Sequence, residues 1–343
     1  MADALLVGSI NLDNAEEVFS VVGQEAGDSV RRVSDGETGP RNDWIFAQVA
    51  RFAANPLLEL VAPDDSSGSR YKVAPTFRRR AGVEPDDVVF DLGYADIALD
   101  SYELFRAAKA AGSFAAAVRF QVSLPTQLAV VFPFIAPEEQ RVLGPVYERA
   151  LAGVVERIAG AIDHDELAIQ WDISVEMSLI EEIFPHDYSV PEIIDQLVRH
   201  ADYVPADVEL GYHLCYGDAR DDETGESRHW KQPEDTAKLV MVANAISDGV
   251  QRDIAWIHMP VPIDRDDDAY FAPLDDLHLH PETRLYLGLI HRQDGVDGAQ
   301  RRIAAAANHV TGFGVGTECG MGRAPREAIP TLLQIQRDCV VPD

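Results

Sequence analysis

Eight short runs rich in Val, Ile, Leu, Phe and Tyr punctuate the chain, at 4–8, 29–34, 117–122, 167–172, 208–213, 253–258, 284–290 and 312–316. Each is short, as expected of strands buried on both faces. Between the runs, apolar positions switch to helical spacing. The segment 14–22 is amphipathic, with Asp13 or Asn14 as its cap. Segments 44–53 and 100–111 carry apolar residues on one face, and Gly112 ends the latter. The longest helical pattern covers 138–162; Pro191 and Pro233 open two more helices, and 297–309 and 326–336 complete the set. Strands alternating with helices in this way predict an α/β fold, a (β/α)8 TIM barrel, as one domain over 1–343. The segment 55–100 breaks the rhythm, with Pro56, Pro63, Asp64-Asp65-Ser66-Ser67-Gly68-Ser69 and Arg78-Arg79-Arg80. It is expected to be an insertion after strand two that folds over the barrel rim, as lids and binding loops do. Polar excursions follow at 217–232 and 261–282.

Composition narrows the function. With 343 residues, 46% of them hydrophobic, a large core is available. The 58 acidic residues outweigh 29 basic ones, for a net charge of −29. Such a surface repels nucleic-acid phosphates and anionic lipid, so the expected partner is a small molecule. Part of the charge is simply a solubility or salt adaptation. The start Met1-Ala2-Asp3-Ala4 has no basic n-region, and no apolar run approaches the ~20 residues of a membrane span. Three cysteines make no disulfide framework, so a reducing, cytoplasmic setting is expected. Cys339, at the tail, is expected to be incidental.

The reactive side chains fall at strand ends: Ser9, Glu37, Asp172, His213 with Cys215, His258, His291 and Cys319. In a parallel barrel those ends form one mouth, where such folds do chemistry. His213-Leu214-Cys215 is an H-x-C pair, and residues two apart in a strand face the same way. Cys319 lies among Gly316, Gly320 and Gly322, which indicate a tight turn and an accessible thiol. Zinc is the expected ion for such a donor set, with one position left open. A lone H-x-C is a weak signal, and buried cysteines often only pack. His278 and His280 alternate like an exposed strand. His164, His186, His200, His229 and His309 are expected on the surface or at caps. Trp171 and Trp256 are expected in the core or walling a pocket.

These motifs resemble cobalamin-independent methionine synthase, specifically its catalytic C-terminal barrel. Tyr212-His213-Leu214-Cys215-Tyr216 is similar to the family's His-x-Cys-Tyr zinc motif. Glu318-Cys319-Gly320-Met321-Gly322-Arg323 is similar to its Asp-Cys-Gly-x-x-x-Arg motif, with the arginine one residue early. Val7-Gly8-Ser9-Ile10 resembles the strand-one segment that holds the thiol amino acid. Asp35-Gly36-Glu37-Thr38-Gly39-Pro40-Arg41-Asn42-Asp43 resembles its Gly-Glu-x-x-Arg-Asn-Asp stretch. Gln170-Trp171-Asp172 resembles its strand-four Gln-x-Asp, and Leu289-Ile290-His291 its strand-seven Ile-His. The resemblance implies zinc-dependent transfer of a methyl or other alkyl group to or from a thiol. It implies substrate contacts at Ser9, Glu37 and Asp172, and catalytic roles for Asp172 and the proton carrier His291; Arg41 is expected either to face an anionic substrate group or merely to form a salt bridge, for instance with Glu37. It places His258 where the family has its fourth ligand, a glutamate, giving the set His213, Cys215, His258 and Cys319. Ile173-Ser174 replaces the family's Glu-Pro, and no match to its folate-binding residues is found. Epoxyalkane–coenzyme M transferase resembles the chain at a similar level. Three alternatives stay open: a zinc hydrolase or lyase acting on a small carbonyl or ether; a barrel that only binds a metabolite or zinc; and a metal-free barrel resembling uroporphyrinogen decarboxylase.

Overall fold

The computed structural model describes residues 3–61, 74–220, 227–229 and 231–340, without side chains over 218–229. Eight parallel strands form its centre: β1 (Ala4–Leu5), β2 (Arg32–Ser34), β3 (Arg119–Pro125), β4 (Leu167–Ile173), β5 (Glu209–Leu214), β6 (Trp256–Pro260), β7 (Arg284–Ile290) and β8 (Gly314–Thr317). They are ordered β1-β8-β7-β6-β5-β4-β3-β2, and a parallel bridge from Ala4 to Val30 brings the two edges together. This is the (β/α)8 barrel, nearly closed. All seven residues of β4 are buried, Gln170 and Asp172 included, as expected of a strand covered on both faces.

The barrel interior grades from apolar to polar toward the C-terminal ends of the strands. Leu5, Ala168, Trp256 and Tyr286 form a buried cluster of their own. A Cβ at Gly211 would lie 1.9 Å from the Trp256 indole, so this position must be glycine for the ring to fill the barrel. Next along, the Trp256 indole N–H donates to Gln170 Oε1 (3.2 Å), and Gln170 Nε2 donates to the Val7 carbonyl (2.5 Å) and to Asp172 Oδ1 (2.8 Å). A tryptophan in the plug thus fixes which way a glutamine amide points, and the amide aims a carboxylate at the mouth.

The insertion is shorter than expected. Leu58–Val61 and Thr76–Arg79 pair antiparallel, and 62–73 lie outside the described residues. The strand pair docks on the segment following β3 through a Phe77–Ile135 bridge and an Arg79–Glu139 ion pair at 2.6 Å. The next helix begins at Tyr94 behind the left-handed Gly93 (φ 68°), so 94–100 belongs to helix rather than to loop. Two buried helices, Gln127–Phe134 and Val175–Ile180, fall outside the expected set. The first is apolar on nearly all sides and the second is buried on every side, Glu176 and Ser178 included, so neither shows the one-faced pattern that betrays a surface helix. Among the described residues, no helix is long and apolar enough to cross a membrane.

Candidate metal centre and the cavity beside it

Strand register builds the centre. His213, near the end of β5, pairs with Asp172 on β4 and with His258 on β6, so the three form one row across neighbouring strands. Cys215 follows β5, anchored by its N–H to the Ile173 carbonyl at 2.8 Å. Cys319 comes from the turn after β8, which lies against the turn after β1: Met321 N–H donates to the Ser9 carbonyl at 2.6 Å. A Cβ at Gly320 would sit 2.2 Å from Ser9 Oγ, so this approach requires glycine.

The consequence is a three-atom cluster. Ligand atoms of His213, Cys215 and Cys319 all lie within 4.8 Å of one another. Cys215 Sγ and Cys319 Sγ are 3.7 Å apart, and Cys319 Sγ is 3.7 Å from His213 Nε2. A tetrahedral zinc with Zn–S about 2.3 Å and Zn–N about 2.05 Å has S···S edges of about 3.8 Å and S···N edges of about 3.6 Å. These two separations match those edges, and the third, between His213 and Cys215, is within 4.8 Å, so the residues fit such an ion with a small adjustment.

Protonation fits as well. His258 Nε2 lies 3.1 Å from the Thr317 carbonyl, which can only accept, so Nε2 carries the hydrogen. Burial holds His258 neutral, down to about 3, leaving its Nδ1 a lone pair. That Nδ1 is 2.8 Å from His213 Nδ1, which must therefore donate. Burial, then the neighbouring His258, push the pKa of His213 well below its usual value. Neutral and protonated on Nδ1, His213 turns a free Nε2 lone pair toward the sulfurs. His258 itself, fully buried, has both nitrogens engaged away from the two thiols and stands outside the cluster.

Beside the cluster lies a cavity lined by Gly8, Ser9, Glu37, Asn42, Trp44, Asp172, Ser174 and Arg323 together with His213, Cys215 and Cys319. Glu37 reaches it through a strained backbone, φ 48° after Gly36 at φ 74°. The strain is held by Asp35, whose carboxylate accepts from Glu37 N–H (2.9 Å), Ser101 Oγ (2.8 Å) and both Arg41 nitrogens (3.2 and 2.7 Å). Arg41 is thereby turned onto Asp35 and does not line the cavity. Trp44 has φ 50° and bonds Asp172 through its side chain. Burial pushes the Glu37 carboxyl up to about 7, with Asp35 adding to the rise and Arg41 and Arg323 opposing it. Burial, then the charge of Glu37, hold the Asp172 pKa well above the carboxylate range.

His291 is buried just past β7, outside the cavity lining. Its Nε2 donates to the Val261 carbonyl (2.8 Å), and its Nδ1 is 3.8 Å from Glu318 Oε2. Burial lowers its pKa against the pull of Glu318. Asn42, Trp44, Ser174 and Arg323 line the cavity in addition to the site residues expected from sequence. Asn42 and Arg323 lie within recognisable motifs; Trp44 carries no signal, because its position depends on a positive φ. His278 is exposed, and among the described residues neither it nor His280 belongs to a group of three or more metal-ligating side chains. His200 is fully buried rather than on the surface, and accepts from Gln127 N–H (3.2 Å) to cap a buried helix.

No protein-family model matches the chain, and no curated protein matches it in sequence. Solved structures do match. A B12-independent methionine synthase from Shewanella sp. W3-18-1, in complex with selenomethionine, has TM-score 0.59 at 12% identity, covering 98% of this chain and 96% of that one. A protein assigned as a vitamin-B12-independent methionine synthase from Listeria monocytogenes has TM-score 0.57 at 11% identity, covering 99% and 98%. A methyltransferase from Methanosarcina mazei has TM-score 0.52 at 11% identity, covering 98% and 95%. What this chain shares with these methionine-synthase-like and methyltransferase structures is the fold, over essentially its whole length.

Proposed function

We propose that this chain is a zinc-dependent enzyme that transfers a methyl or other alkyl group to or from a thiol. The observation that carries the reading is the convergence of His213, Cys215 and Cys319 within 4.8 Å of one another, two of the separations being 3.7 Å, beside a cavity holding two carboxyls. The methyl-transfer names of the structural neighbours support it. His213, Cys215 and Cys319 would hold the zinc, and the ion would supply the positive charge that lowers the pKa of a thiol in the adjoining cavity.

The other roles fall to side chains. Glu37, raised to about 7 by burial, and Asp172, also raised by burial and by the charge of Glu37, flank a place for a cationic or hydroxylated group. A cation there draws both toward carboxylate. Ser9 and Arg323 face the same space and suit an anionic group. His291, neutral and donating through Nε2, keeps Nδ1 as a site that can take up a proton.

Cobalt-substituted protein titrated with small thiols tests this. Each thiol that serves should raise the sulfur-to-cobalt charge-transfer band saturably, and should be alkylated by an isotopically labelled donor only when metal is present. A band indifferent to every thiol, with turnover that incorporates oxygen from labelled water, would replace the reading with that of a hydrolase or lyase.

A further inference from the structure

His258 stands at the strand position expected to supply a fourth ligand, yet its geometry assigns it other work. Its Nδ1 meets His213 Nδ1 at 2.8 Å and its Nε2 meets the Thr317 carbonyl at 3.1 Å. The ring is fully buried and lies over Gly316, where a Cβ would come within 3.3 Å of Nε2. Register pairs His258 with His213, so the two rings are neighbours by construction of the sheet.

We infer that His258 is a positioning residue, which locks His213 in the tautomer whose Nε2 faces the thiolates, and that the chain supplies three metal ligands. The inference rests on the metal-centre part of the proposed function, and not on alkyl transfer. Three points follow. The Thr317 carbonyl orients His258, and His258 orients His213, so a backbone atom of β8 fixes the protonation of a ligand on β5. A divalent ion bound by two thiolates and a neutral imidazole forms a site of zero net charge. The fourth coordination position belongs to solvent or substrate rather than to β6.

X-ray absorption on zinc-loaded wild-type protein, together with zinc affinity by chelator competition in His258 variants, tests this. Wild type should show two sulfurs and one imidazole. His258→Asn, whose Oδ1 can accept from His213 Nδ1–H as the ring does, should keep affinity within a few-fold. His258→Leu should still take up one equivalent but bind roughly 10–100-fold more weakly. Two imidazoles in wild type, or undiminished affinity in His258→Leu, would overturn the inference. The wild-type measurement decides even if a variant fails to fold. Failure to take up zinc or cobalt at all overturns this inference and the proposed function together. A metal site that behaves as described without thiol-dependent transfer overturns only the function.

Discussion

Cys215 and Cys319 are separated by 104 positions, and their sulfurs meet at 3.7 Å. If they hold an ion, each is indispensable to it. Cys215→Ser and Cys319→Ser should each lower bound zinc in dialysed protein from one equivalent to under about a fifth, since a serine oxygen is a poor replacement for thiolate toward a borderline-soft ion. Cys339→Ala should retain the full equivalent; Cys339 is buried in the last helical turn, where burial raises its thiol to about 11. Metal analysis of the three proteins checks the pattern, and full retention in either of the first two would remove the centre. At this scale the H-x-C pair and the glycine-flanked cysteine were legible, because their spacing is covalent. A salt bridge for Arg41 was legible too, but its partner was not, because Asp35 rather than Glu37 is chosen by the shape of a turn that holds Glu37 at positive φ.

Elements were legible where one periodicity dominated. All eight expected strands are present, each within a few residues of its expected bounds, because most strands buried on both faces are short and rich in Val, Ile, Leu, Phe or Tyr. Helix Val190–Ala201 was marked by Pro191, and its start is reinforced by a capping box between Ser189 and Glu192. Ser189→Ala should cost about 1 kcal/mol, read as a shift in the denaturation midpoint without a change in slope. An unshifted midpoint would mean that packing alone holds this end. The helices Gln127–Phe134 and Val175–Ile180 carry no such mark, because burial on every side erases the helical stripe, and Pro133 inside the first argues locally against helix. The strand pair in the insertion belongs to the wall around helix Gln127–Phe134, and none of its described residues lines the cavity.

For the whole molecule, the buried acids set a pH dependence. Glu37 and Glu176 are both raised from 4.5 to about 7, chiefly by burial. Glu176 lies outside the cavity, hydrogen-bonded to Thr126. A carboxyl whose folded-state value exceeds its unfolded value favours the fold fully below pH 4.5, and that advantage is lost as pH rises through about 7. For Glu176 the loss is on the order of 3 kcal/mol, because each tenfold change in proton affinity between the folded and unfolded chain is worth about 1.4 kcal/mol. Chemical denaturation across roughly pH 4–8 should show stability falling over this window, and Glu176→Gln should flatten part of the fall. An identical pH profile in the variant would show that Glu176 ionises freely in the folded protein.

The chain by itself determined the barrel, because eight doubly buried strands and the helices between them are local patterns, and it determined which residues stand at the strand ends. It also determined that two thiols and an imidazole were available there. Only the tertiary structure decided how they are used. Closing the sheet brings β5 and the turn after β8 to one point, and register puts His258 beside His213 rather than beside the sulfurs. A hydrogen bond from His258 to a backbone carbonyl then selects the tautomer, and no spacing along the sequence encodes that choice, since it depends on where a distant strand presents its oxygen.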